Sequence, residues 1–230
     1  MIRIIKRFFI FIVSIIIIVI VVISARKQST FIIENNYSKG IDLSHWNIDT
    51  YQISLDSIPN DVSFVYLKAT EGASYKDKMY PIYIEEFIGK NIGSRKDDPI
   101  KIGAYHFFKQ NVPALLQFNN IKESVDSSEI NLPIAIDFEF ITSHSSKETK
   151  QIQECLYNLL IMVEKEYKKK PIIYCNTRGY DLFIRNCDKL NHYGIWLDAK
   201  SDNSLTVPNT IIKQIKIENN IDINVCYSSL

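Results

Sequence analysis

The chain has 230 residues, 46% of them hydrophobic and 23% charged, with a formal net charge of +1 at pH 7. That length and apolar content suffice for one domain with a sizeable core after a short leader, and they exclude a disordered chain. The near-neutral balance gives no basis for a nucleic-acid partner, and no repeat with a period of roughly 20–50 residues is visible.

The N-terminus reads as a targeting element. Arg3, Lys6 and Arg7 precede an apolar run over residues 8–23 that only Ser14 interrupts, and Arg26 and Lys27 close it. The run falls between the ~7–15 residues of a signal-peptide core and the ~20 of a membrane span. It has no polar face, which argues against a buried core helix. Val22 and Ile23 stand where a cleavage site wants a second small residue. Residues 1–27 are therefore expected to be an uncleaved signal-anchor, in preference to a cleaved signal peptide. The leading basic residues favour a cytoplasmic N-terminus, with the domain on the extracytoplasmic side of the membrane. A cleaved leader would leave the domain secreted or periplasmic. Residues 28–38 read as a linker and residues 39–230 as one domain.

Short apolar runs then recur at 41–44, 64–70, 100–108, 132–140, 171–175, 194–199, 211–217 and 221–225, rich in Ile, Val, Phe or Tyr. They have the pattern of buried strands. Amphipathic stretches over residues 80–91, 113–129, 147–170 and 177–187 lie between several of them. The second stretch opens on Pro113 and places Leu115, Leu116, Phe118, Ile121 and Val125 on one side. Alternation of strand and helix predicts an α/β domain with a largely parallel sheet. The last three strands are too close for helices between them, so the expected fold is an irregular (β/α) barrel with some helices missing in its C-terminal part.

Functional residues of such barrels collect at the C-terminal ends of strands. The run over 132–140 ends in Asp137 and Glu139. Strand side chains alternate, so these two carboxylates project to one side, with Cα atoms roughly 6.5–7 Å apart. Acids on a buried strand are costly unless used, and glycoside hydrolysis is the commonest chemistry that needs two carboxylates in different protonation states. A structural ion pair with a base such as Lys68 is the bland alternative. If the pair is catalytic, like charge should split the two pKa values. Glu139, nearer the strand end, is the better general acid, and Asp137 would hold charge beside the developing cation. Asp42 alternates with Ile41 and Leu43 and should point into the barrel mouth. Asp222 alternates with Ile221 and Ile223 in the same way, although a loop role is equally compatible. Tyr105, Phe107, Tyr174 and Trp196 are candidates for stacking on sugar faces, and core packing is their ordinary role. His106, between Tyr105 and Phe107, should face away from the mouth as a structural histidine. Lys68, Glu71 and Gln214 also fall at strand ends. Cys155, Cys175, Cys187 and Cys226 form no C-x-x-C pair, so zinc is not suggested, and their pairing is open.

Four motifs in succession, Gly40-Ile41-Asp42-Leu43-Ser44, the segment from Phe64 through Lys68 and Glu71 to Gly72, Ile102-Gly103-Ala104-Tyr105-His106-Phe107-Phe108 and Ile136-Asp137-Phe138-Glu139, resemble those of glycoside hydrolase family 25. Pro171-Ile172-Ile173-Tyr174, Ile195-Trp196-Leu197, Gln214 and Ile221-Asp222-Ile223-Asn224 extend the resemblance over residues 39–227. It implies a lysozyme, an N-acetylmuramidase that hydrolyses the β-1,4 bond between N-acetylmuramic acid and N-acetylglucosamine in peptidoglycan. The family's catalytic pair would fall on Asp137 and Glu139, with Glu139 as acid/base. Its supporting acids would fall on Asp42 and Asp222, and its sugar-contacting lysine and tyrosines on Lys68, Tyr105 and Tyr174. Asp137 would stabilise the transition state or orient the substrate acetamido group. No metal or cofactor is implied; the partners would be glycan strands and, through the leader, the membrane, and a monomer is expected. The chain departs from the family pattern at Ile215, at Asp198-Ala199-Lys200 and in the short approach Glu218-Asn219-Asn220. A non-catalytic peptidoglycan-binding module on a membrane anchor is the first alternative, and the intact acids argue against it. A hydrolase of related N-acetylglucosamine polymers is the second. Leu132 and Ala135 stand where its longer acidic signature would need carboxylates.

Overall fold

A computed structural model describes residues 37–49, 58–94, 96–139 and 145–227. The expected leader, residues 1–27, lies outside the described residues. Among the described residues, no helix is long and apolar enough to cross a membrane.

The elements run β1 (Ser38–Leu43), α1 (His45–Asp49), β2 (Phe64–Glu71), β3 (Tyr75–Lys76), α2 (Tyr80–Ile92), β4 (Lys101–Phe107), α3 (Ala114–Ser124) and β5 (Ala135–Asp137). They continue with α4 (Ser146–Tyr167), β6 (Ile172–Asn176), α5 (Thr177–Gly179), a π-helical turn at Tyr180–Ile184, β7 (Gly194–Asp198), β8 (Thr210–Glu218) and β9 (Ile221–Cys226). The sheet order is β1-β9-β8-β7-β6-β5-β4-β2-β3, and a further β1–β2 pairing closes it into a barrel, with β3 appended to β2. Strand pairs are parallel from β1–β2 round to β7–β8. Within the barrel strand β9 is the exception, running antiparallel to both β1 and β8; the appended β3 also runs antiparallel to β2. The irregular barrel without helices around β8 and β9 is the architecture that the strand spacing predicts. A closed parallel barrel brings the C-terminal strand ends to one mouth, so side chains far apart in sequence meet there.

Two apolar layers hold the barrel. Inside it, Phe64, Tyr66, Ile172, Trp196 and Ile212 pack together. Two glycines make room for the aromatic rings. A Cβ on Gly40 would stand 2.2 Å from the Phe64 ring, and one on Gly103 would stand 2.5 Å from the Tyr66 ring. Outside, the helices bury their apolar stripes on the sheet. Helix α4 turns Ile152, Leu156, Leu159, Leu160 and Val163 inward, the 3–4 spacing of one helix face. It opens on a capping box in which Ser145 and Glu148 satisfy each other's backbone donors, and it closes on Lys168 in the left-handed conformation, φ 57°.

Two expectations need correction. The predicted apolar face of helix α3 is only partly turned inward: Ile121 and Val125 are buried and Phe118 packs on the core, but Leu115 is 58% exposed and Leu116 47%, while Gln117 is wholly buried and Asn120 nearly so. Hydrogen bonds outweigh apolar patterning here. Gln117 bonds His106, both backbone groups of Lys109 and the carbonyl of Val112. Asn120 donates to carbonyls of Glu71, Gly72 and Tyr75. The helix thus clamps two loops of the mouth, and a buried amide that satisfies several carbonyls is stable where a lone one is not. Strand β5 is also shorter than predicted and ends at Asp137. The alternation nevertheless continues, because the Phe138 N–H donates to the Tyr174 carbonyl at 2.9 Å. Phe138 is buried against Phe108 and Phe183, and Glu139 emerges into solvent. On the question the sequence leaves open, Cys155, Cys175 and Cys187 are free thiols.

Candidate active site

One cavity of about 160 Å³ at the barrel mouth is lined by Asp42, Tyr105, Asp137, Glu139, Tyr174, Trp196, Lys200, Gln214 and Asp222. Eight of these are residues singled out from the sequence, brought together from seven strands and the turn after β5. Lys200 is the addition.

The floor is a hydrogen-bonded network. Asp42 Oδ2 accepts from Gln214 Nε2 at 2.9 Å and from Asn224 Nδ2 at 2.8 Å. The Trp196 indole N–H donates to Asn224 Oδ1 at 2.8 Å, and the Tyr174 hydroxyl donates to Gln214 Oε1 at 2.8 Å. Each amide is therefore oriented from its oxygen side, so that its nitrogen faces Asp42. Trp196 and Tyr174 stack edge to face at 5.2 Å and are buried. Trp196 thus forms part of the floor rather than an open platform for a sugar. The sequence reading missed Asn224, although it lies two residues beyond Asp222 on the same strand, where alternation gives it the same face.

Asp42 and Asp222 face each other directly across the β1–β9 ladder. Burial, then the charge of Asp222, pushes Asp42 up to about 7 against its two amide donors and Lys200. Burial likewise raises Asp222, with Lys200 opposing. Asp137 is driven well above the carboxylate range by burial and then by the charge of Glu139. Withdrawal from water also raises Glu139, against Lys200. The stronger upward push falls on the deeper acid, Asp137, whereas Glu139 is the acid exposed in the mouth. Asp137 Oδ1 and Asp222 Oδ1 are buried without a hydrogen-bond partner among the described residues. Such acceptors are normally satisfied; Asp222 Oδ1 has the Lys200 ammonium 3.5 Å away, so Asp137 Oδ1 is the ready receiver for a donor entering the cavity.

Three predicted residues stand outside this lining. Lys68 and Glu71 pair at 2.8 Å, and Lys109 grips the same Glu71 at 2.7 Å. Burial alone would raise Glu71, but the two lysines hold it below its usual value. Phe107 carries both ammonium groups over its ring, Lys109 at 4.8 Å and Lys68 at 5.1 Å. His106 faces away from the mouth as expected, bonded to Thr70 and Gln117. Burial lowers its pKa to about 4, which keeps the imidazole neutral.

A second chamber of about 270 Å³ shares Asp42, Tyr105 and Asp222 with the first and is bounded by Trp46 and Ile217. Both are largely exposed, at 59% and 60%. Trp46 is held at the rim by its neighbour His45, whose ring lies 4.7 Å away and whose Nδ1 bonds Asp77 at 2.7 Å. The Ile217 side is the β8–β9 ribbon, turned by Asn219 and Asn220 at φ 51° and 62°. These are two asparagines suited to a tight hairpin. The departure at Ile215 coincides with a bulge in this ribbon, between Gln214 and Lys216. The short approach to Asp222 is thus a two-residue turn, and the wall is made of strand. Trp46 follows the Asp42 motif closely, a positional signal that the sequence reading did not use.

A sequence-family model described as Glycosyl hydrolases family 25 matches residues 41–211. A solved family 25 glycosyl hydrolase from Bacillus anthracis is similar at 26% identity and a TM-score of 0.62, over 83% of this chain and 89% of that one. A muramidase from Acremonium alcalophilum has 20% identity and a TM-score of 0.65, over 83% and 94%. A Streptomyces coelicolor lysozyme has 21% and 0.62, over 83% and 92%. The last two likenesses concern the fold. Among curated proteins, the uncharacterized protein YegX of Escherichia coli K12 is 28% identical over 161 residues. Those residues are 69% of this chain and 54% of YegX, so the chain spans about half the length of the curated relatives it matches.

Proposed function

From the premise that the chain belongs to family 25 of the glycosyl hydrolases, we propose that it is an N-acetylmuramidase cutting the β-1,4 bond between N-acetylmuramic acid and N-acetylglucosamine in peptidoglycan. The observation that carries this reading is the acid pair at the end of β5. Asp137 is buried with an unpartnered oxygen, and Glu139 stands exposed beside it in one cavity with Asp42 and Asp222.

In this reading Glu139 carries the proton that goes to the bridging oxygen as the bond from that oxygen to the anomeric carbon breaks. Withdrawal from water raises its pKa, which favours the protonated form that a proton donor needs. Positive charge develops on the sugar ring. With the proton on Glu139, the like charge that helps to raise Asp137 is gone, and Lys68 and Lys200 favour its ionised form; Asp137 then meets the positive charge directly, or accepts a hydrogen bond from the acetamido N–H so that the acetamido oxygen can meet it. Water then adds at the anomeric carbon and returns a proton to Glu139. Asp42 and Asp222 support the site from below; Asp42, half-protonated near pH 7, dilutes the negative charge around the pair. Lys68 contributes positive potential that favours the ionised form of both acids. Neighbouring sugars of the polymer would run into the second chamber, against Trp46. Residues 39–230 are the catalytic unit in this proposal, and residues 1–27 would hold it on the extracytoplasmic face, where peptidoglycan lies.

Digestion of purified peptidoglycan tests the reading. New muramic acid reducing ends are expected; glucosamine ends only, or binding to the wall material without release, would refute it. Glu139→Gln should lower release roughly 10²–10⁴-fold, the usual weight of a general acid, and full retained activity would remove Glu139 from its role.

A further inference from the structure

Among the described residues, Lys200 is the one cation in the lining of the acid cavity, and neither its residue type nor its spacing marked it as a site residue. It follows β7 by two positions, its own backbone N–H bonding back to Asp198 Oδ1 at 3.2 Å. Its ammonium donates to Gln214 Oε1 and lies 3.5 Å from Asp222 Oδ1 and 3.6 Å from Asp198 Oδ1. Neither ion pair is close, and the shortest contact is to a neutral amide. The charge is therefore shared over the cavity rather than spent on one carboxylate. Lys68, on β2, differs: Glu71 takes its ammonium at 2.8 Å.

Resting on the muramidase reading, we propose that Lys200 is a positioning residue that sets the pH window of the acid pair, acting through the carboxylates rather than on the bond that breaks. Two routes carry the effect. The first is the field. Lys200 favours the ionised forms of Asp42 on β1, Asp137 and Glu139 at the end of β5 and Asp222 on β9. It opposes the mutual repulsion of these acids and Asp198. The remaining titratable groups facing the cavity, Tyr105 on β4 and Tyr174 on β6, are held far above neutrality by burial and stay neutral. The second route is orientation. Lys200 and the Tyr174 hydroxyl both occupy Gln214 Oε1, which commits the Gln214 amide N–H to Asp42.

The test compares full-length wild type, Lys200→Met and Lys200→Arg by the pH dependence of kcat/KM for release of reducing ends from purified peptidoglycan. Removing a cation at this range should move both limbs of the profile to higher pH, by roughly half a unit to one unit. Lys200→Arg keeps the charge and should hold both limbs at their wild-type positions, whatever its rate. A Lys200→Met profile that falls uniformly with unmoved limbs, or an Arg variant that shifts as far as Met, would overturn the proposal. A carbon-13 carboxyl titration of Glu139, assigned with Glu139→Gln, reads the same coupling without turnover. If wild type releases no ends at any pH, the muramidase reading fails. An upward shift of the Glu139 titration in Lys200→Met would still support the role of Lys200, and an unmoved titration would overturn it.

Discussion

Replacing Asp42 with Asn should make the protein more stable at neutral pH and less active. Both donors to Asp42 meet the same oxygen, Oδ2, at 2.9 and 2.8 Å, so a single amide oxygen in that place accepts both bonds. The new amide nitrogen replaces an anionic oxygen in the field of Asp222. In the wild type, burial and then Asp222 raise this carboxyl from 3.8 to about 7. In the unfolded chain it ionises near the ordinary value. Between the two values the folded protein holds a proton that the unfolded chain has lost, so wild-type stability declines as pH rises through that window and is level above it. The rise from 3.8 to about 7 corresponds to about 4 kcal/mol, most of it from withdrawal from water and the rest from the charge of Asp222. Urea unfolding of both proteins at about pH 4, 5.5, 7 and 8 reads the difference directly. The two should coincide at the acid end, and Asp42→Asn should gain up to about 4 kcal/mol at the alkaline end. A variant less stable than wild type at the alkaline end, or a gap that does not change with pH, would refute the assignment of a penalised charge, withdrawn from water, to Asp42.

Two further outcomes follow from the same geometry. Trp46→Ala removes an exposed ring from the second chamber. It should leave the unfolding midpoint within the small change of a surface substitution, while raising KM on polymeric glycan more than on a short fragment; equal effects on both would place Trp46 outside the substrate path. Gln117→Leu strands His106, both backbone groups of Lys109 and the Val112 carbonyl. At ~1–3 kcal/mol for each buried group left unpaired, unfolding experiments should record a loss of at least about 3 kcal/mol, and a loss below about 1 would show that the apolar gain of leucine compensates.

Asp137, Glu139, Asp42 and Asp222 were readable because strand alternation is local. An acid between apolar neighbours on a buried strand has one side left to face, whatever the rest of the chain does. The order of short apolar runs was readable for the same reason, and with it the barrel and the bare C-terminal strands. Helix α3 was misjudged because its inward face is set by carbonyls on the loops around Glu71, Gly72, Lys109 and Val112, which no helical period records. β5 ended sooner than its apolar run, since a strand lasts as long as its neighbours pair with it.

The sequence alone therefore determined the family, the fold class and the four acids, all of them carried by residue types at fixed local spacing. Tertiary structure decided what surrounds those acids. Asp42 meets Gln214 172 positions away and Asn224 182 positions away, and Lys200 reaches the cavity from a turn whose residues carry no pattern of their own. Barrel closure makes those encounters. It also sets how deeply each carboxyl is withdrawn from water, and withdrawal from water is the largest influence on each of the four acids.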